Sequence, residues 1–126
     1  MRQTILLVDD DPARLNLLAR LIKQAGFRTI TARIGPSGVS FPEHEQPVLV
    51  LLDYGSGSER NARDIAALIR LRYGSTRLVL LSSRSSLPPE MAGLVDEFAH
   101  RDGDESVLSA LKQWLIRGRS AGQGAE

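Results

Sequence analysis

The chain has 126 residues, 42% of them hydrophobic and 25% charged, with a formal net charge of +1. That length and balance fit one globular domain, and so small a charge gives no case for a nucleic-acid or acidic-surface partner. Cysteine is absent, which excludes a disulfide framework and thiol chemistry, and no apolar run approaches the length of a membrane span. The chain opens Met1-Arg2-Gln3-Thr4 and enters an apolar run too short for a signal peptide, so the expected location is cytoplasmic.

Ile5-Leu6-Leu7-Val8 is a short continuous apolar run that ends in Asp9-Asp10-Asp11. Runs of this kind are strands buried on both faces. Asp11 can cap a helix, Pro12 fits its first position, and Gly26 can end it. Leu15, Leu18, Leu21, Ile22 and Ala25 share one face of that helix. Asp11 is therefore assigned to the cap, which leaves Asp9 and Asp10 for chemistry. Phe27 to Ala32 is a short second strand. Gly35, Pro36, Gly38 and Pro42 leave room only for a short helix near Ser37 to Phe41.

Val48-Leu49-Val50-Leu51-Leu52 is a second strong apolar run, and it ends in Asp53. Tyr54 to Ser58 is a polar, glycine-rich loop, with Ser56 and Glu59 spaced as a capping box. The next helix carries Ala62, Ile65, Ala66, Ile69 and Tyr73, and Gly74 can stop it. Leu78 to Leu81 is a fourth strand ending in Ser82-Ser83. A short helix around Glu90 to Val95 and a weak strand from Glu97 to His100 follow. Asp104 can cap a last helix with Val107, Leu108, Leu111, Trp114 and Leu115 on one face. Residues 1–116 form the expected domain, and 117–126 read as a flexible tail.

Strands alternating with helices predict an α/β fold with a five-stranded parallel sheet and helices on both faces. A strand order of 2-1-3-4-5 makes the first and third strands neighbours at the switch point, where such sheets place ligands. Asp9, Asp10 and Asp53 then crowd one edge. Carboxylates that close need a cation, and an oxygen-only set suits Mg²⁺.

Taken together, these residues resemble a response-regulator receiver domain, from Ile5 to about Leu115. Val8-Asp9-Asp10 is similar to the family's acidic pair, and Leu51-Leu52-Asp53 to the strand bearing its phospho-accepting aspartate. Ser82 matches the switch Ser/Thr and Phe98 the switch aromatic; Arg101 stands where the family has lysine. The resemblance implies that Asp53 accepts a phosphoryl group, without enzymatic turnover. It implies Mg²⁺ held by Asp9, Asp10, Asp53 and the Gly55 carbonyl. Ser82 would bond the phosphoryl oxygen and Phe98 would move with it. Implied partners are a sensor histidine kinase or phosphotransfer protein and a downstream protein target, with no direct nucleic acid and no membrane. Arg84, two residues after Ser82, is a further candidate clamp on the phosphoryl group.

There are departures from the family pattern. Arg101 replaces lysine, and Asp102 replaces the proline that follows it. Arg and Lys are not interchangeable in a tight pocket, and Asp102 can pair with Arg101. The interval from Ser82 to Arg101 is short, so the fourth helix should be reduced. Bland readings stand beside the functional ones: Ser82 as a strand end, Phe98 as core, Arg101 as a surface ion pair, and His44 and His100 as solvated side chains. Trp114 is either a docking anchor or half-buried against the sheet. A haloacid dehalogenase-type phosphatase shares the Asp-x-Asp of Asp9-Asp10-Asp11, and turnover of a phosphate monoester would distinguish it. A second alternative is a degenerate pseudo-receiver, a phosphorylation-independent interaction module.

Overall fold

The computed structural model describes residues 3–54, 59–82, 86–100 and 107–115, with backbone alone at 54 and 59–61. In chain order the elements are β1 (Thr4–Asp9), α1 (Pro12–Gln24), β2 (Arg28–Gly35), β3 (Gly38–Val39), β4 (Leu49–Tyr54), α2 (Glu59–Tyr73) and β5 (Arg77–Ser82). A single 3₁₀ turn at Pro89–Met91 and β6 (Glu97–His100) follow. A last helix, α3, spans 107–115 within the described residues.

The strands form one sheet in the order β3-β2-β1-β4-β5-β6. All pairs are parallel except β2 with β3. The expected five-stranded sheet is thus corrected to six. Without β3 the order is the expected 2-1-3-4-5, with β1 beside β4. The extra strand also replaces the helix expected near Ser37 to Phe41. Gly35 pairs with Gly38 and Ile34 with Val39, so Pro36 and Ser37 make a tight antiparallel turn. The breakers that shortened the helix on paper in fact fold the chain back. Gly38 has φ +121, a region that side chains rarely enter, and a Cβ there would meet nothing within 4 Å. Gly38→Ala should therefore cost only backbone strain, about 1–2 kcal/mol, measured by urea denaturation; no loss would mean the turn relaxes freely.

Period-two alternation in the inner strands feeds two cores. Leu6, Val8, Val50, Leu52, Leu78 and Leu80 pack under α2 and Met91. Ile5, Leu7, Leu49, Leu51, Val79 and Leu81 pack under α1 and α3. Helices therefore cover both faces, which is why the inner strands are apolar throughout. Trp114 lies in the second core at 4% exposure, so burial is the reading that holds and the docking anchor is set aside. The expected fourth helix is indeed reduced, to the one turn Pro89–Met91. Asp104, the capping box from Ser56 and the tail 117–126 lie outside the described residues.

Candidate functional site

Parity decides which face the acids take. Asp9 continues the odd-numbered series Ile5, Leu7, and Asp53 continues Leu49, Leu51. Both lie on the α1 side of the sheet. Val8 pairs with Leu52, so one residue further on Asp9, the last of β1, and Asp53, the last but one of β4, lie on adjacent strands. Parallel neighbours stand about 4.8 Å apart. Their side chains are nearly enclosed, at 5% exposure for Asp9 and 9% for Asp53.

Above them α1 begins as expected. Asp11 is extended, and its carboxylate accepts from the Ala13 and Arg14 amides at 3.0 and 3.3 Å. Gly26, with φ +101, follows the helix in the left-handed region. Asp11 is thus the cap, as assigned.

Arg14 is a site residue that the motifs do not single out. Its Nε donates to Asp9 Oδ2 and its Nη2 to Asp9 Oδ1, both at 2.6 Å. Nη2 also lies 3.4 Å from Asp10 Oδ1 and 3.6 Å from Asp53 Oδ1, and Nη1 is 3.8 Å from Asp11 Oδ2. Asp9 Oδ1 accepts in addition from the Asp11 amide at 3.2 Å. Both Asp9 oxygens are therefore committed. The hydrogen bonds to Asp9 raise the Arg14 pKa above its ordinary value; the charges of Asp53, Asp9 and Asp11 add to this, and burial opposes it. The cation that the crowded acids require comes from the chain itself.

A sequence signal for this existed. Cations are unfavourable near a helix N-terminus, and the first turn of α1 contains no acid. An arginine in that turn, just after three aspartates, needed a reason other than helix stability.

The acids brought together are oxygen donors of the type Mg²⁺ prefers. As they stand, with Arg14 seated on Asp9, they already face a cation. No group of three or more His, Asp or Glu among the described residues is placed to hold a metal. The cavity bounded by Asp9, Arg14, Asp53, Leu15 and Leu51 measures about 10 Å³. That is room for about one water.

Ser82 ends β5 at 1% exposure, aligned with Tyr54 on one side and His100 on the other. Phe98 pairs with Leu80 and packs, half-buried, on the α2-side core. Gly55, Arg84, Arg101 and Asp102 lie outside the described residues. The His44 side chain is solvated, at 93% exposure, and His100 is exposed.

A doubly wound sheet with acids at its switch point has the fold of response-regulator receiver domains. Solved structures agree. The magnesium–beryllofluoride complex of the response regulator TrrA from Thermotoga maritima matches with a TM-score of 0.66 and 22% identity, over 88% of this chain and 97% of that one. A CheY-like receiver domain protein from Methanospirillum hungatei matches with a TM-score of 0.75 and 16% identity, over 96% and 99%.

In sequence the chain is similar to response regulators. The photosynthetic apparatus regulatory protein RegA of Rhodobacter capsulatus is 27% identical over 92 residues, 73% of this chain and 50% of RegA. The DNA-binding response regulator MtrA of Mycolicibacterium smegmatis is 31% identical over 94 residues, 75% of this chain and 40% of MtrA. The chain spans about half the length of the curated relatives it matches. No protein-family model matches it. No helix among the described residues is long and apolar enough to cross a membrane.

Proposed function

We propose that this chain is a phosphoacceptor receiver of a two-component system, modified on Asp53 and signalling through protein contacts in the cytoplasm. The observation that carries this reading is the position of Asp53. It is the last residue but one of β4, the strand between β1 and β5, nearly enclosed, with Asp9 at the end of one neighbour and Ser82 at the end of the other. A carboxylate there is a nucleophile for a phosphorus centre, supplied by a histidine kinase or phosphotransfer protein. The bond formed is Asp53 Oδ to phosphorus, and the bond broken joins phosphorus to the donor. Ser82 supports the reading as a hydroxyl that can donate to a phosphoryl oxygen.

Phe98 would report the outcome, because β6 joins it to the strand that ends in Ser82. A charged group can bias a side-chain arrangement of this kind. Arg84 as a clamp, Arg101 in place of lysine and Gly55 as a carbonyl ligand remain part of this reading. So do Mg²⁺ on Asp9, Asp10 and Asp53, and a domain over 1–116 with a tail beyond it. A downstream protein target completes the proposal. The similarity to regulators rather than to phosphatases supports an acceptor over a turnover enzyme.

A second reading, the phosphorylation-independent module, is favoured by one observation. Arg14 holds Asp9 bidentately and reaches Asp10 and Asp53, a settled charge arrangement without any phosphoryl group. Intact mass after incubation with acetyl phosphate and Mg²⁺ separates the two. A gain of one phosphoryl group that Asp53→Ala abolishes is the expected result. No gain, with the fold intact, leaves the interaction module.

A further inference from the structure

Four carboxylates converge at the carboxyl edge of β1 and β4, and among the described residues Arg14 meets them all. Arg14 is within 4 Å of Asp9, Asp10, Asp11 and Asp53. Its fork is matched to Asp9 in the bidentate geometry that makes such pairs strong and directional. Its place in the first turn of α1 works against the helix dipole, so the acids, and not the helix, hold it there.

We propose that Arg14 is this chain's built-in counter-ion, held by the acid cluster in exchange for a divalent cation, so that Mg²⁺ must displace the guanidinium to bind. The proposal rests on the reading of Asp9, Asp10 and Asp53 as acids that can take such an ion, and not on phosphorylation.

The exchange has a structural consequence. Asp9 is buried, and it cannot be left alone as a carboxylate without cost. Either the guanidinium or a metal must face it. The two occupants are therefore mutually exclusive at Asp9, and their competition sets how much Mg²⁺ the site needs. Arg14 can leave without unfolding α1, because the cap is made by the Asp11 side chain and not by the guanidinium. Freed, it swings toward solvent from a helix start where its side chain is already 24% exposed.

Mg²⁺ alone, titrated calorimetrically into the full chain and into Arg14→Met, tests this. Methionine keeps the stem and removes the charge. The variant should bind at least about tenfold more tightly, since a unit charge at this range outweighs thermal energy in a partly buried site. Its Tm without metal should fall by roughly 10 °C, as removal of one partner of an enclosed pair predicts. Millimolar Mg²⁺ should restore that loss while leaving the unmodified protein's Tm almost unchanged.

A second measurement needs no variant. The Arg14 Nε–Hε proton should give a resolved, exchange-protected NMR signal that disappears in step with Mg²⁺ binding. Equal Mg²⁺ affinity in the two proteins overturns the proposal. So does Mg²⁺ saturation of the unmodified chain with the Nε–Hε signal unmoved, and this arm decides alone if Arg14→Met fails to fold. Neither arm reads phosphorylation, so loss of the phosphoacceptor reading and loss of this one are separate results.

Discussion

Leu80→Ala is expected to lower stability by about 3–5 kcal/mol, near the top of the range for truncating a buried leucine. Leu80 is fully enclosed in the middle of β5. Its backbone is held on both sides, paired with Leu52 of β4 and Phe98 of β6. A strand fixed by two ladders cannot move in to fill a hole. Among the described residues, this face is covered by α2 and by the turn that carries Met91, itself fully buried. Met91 shares this core and sits on a three-residue turn, with no longer helix to carry it inward if Leu80 is shortened. Domains of this size are stable by roughly 5–15 kcal/mol, so the variant should sit near the limit of folding. Urea denaturation should show a lower midpoint with an unchanged slope. Leu71→Ala is the control: at 84% exposure it should change stability by less than about 0.5 kcal/mol. A Leu80→Ala loss below about 1 kcal/mol would mean that the turn collapses into the cavity, against this account.

The same contrast explains what could be read from the sequence. The inner strands were legible because a parallel strand covered on both faces must be apolar throughout, and few other elements look like that. The start of α1 was legible because cap, proline and terminal glycine are chemically distinct. The β2–β3 hairpin was not. β3 has two residues, one of them glycine, so it carries no alternation to detect, and the glycines and proline around it signal only interruption. Arg14 was barely legible, its one signal being a cation in the first turn of α1. Helical spacing puts Leu15, Leu18 and Ile22 on the buried stripe and leaves Arg14 beside it, where arginines usually face water. Only the placement of β1 against β4 turns that side chain into the meeting point of four acids. Asp9, Asp10 and Asp53 do come within reach of one cation, Arg14. The identity of the cation was decided by tertiary structure.

Arg70 is another arginine whose role appears only in the folded chain, and Arg70→Ala should cost about 2–3 kcal/mol. The guanidinium, at the end of α2, makes four hydrogen bonds. Nε donates to the Leu94 carbonyl at 2.6 Å, and Nη1 to the carbonyls of Thr76 at 2.9 Å and Gly74 at 3.2 Å. Nη2 donates to Asp96 Oδ2 at 2.6 Å. That same oxygen accepts from the Leu78 amide at 2.7 Å, and the Asp96 amide returns a bond to the Leu78 carbonyl at 2.8 Å. One side chain thus ties α2, the entry to β5 and the entry to β6 together, in the region where a full helix is missing. Hydrogen bonds to a charged group contribute about 1.5–3 kcal/mol each when buried. Arg70 and Asp96 are 24% and 41% exposed, so water can replace part of the network and the sum must be discounted. Lysine cannot reproduce the fork, and Arg70→Lys should recover less than half of the loss. Hydrogen exchange should show where the loss falls, with faster opening at Phe98 and Ala99 of β6 and little change in β1. If Arg70→Ala costs less than about 0.5 kcal/mol, the level of an ordinary surface substitution, then water substitutes fully for the guanidinium and β6 is held by its ladder to β5 alone.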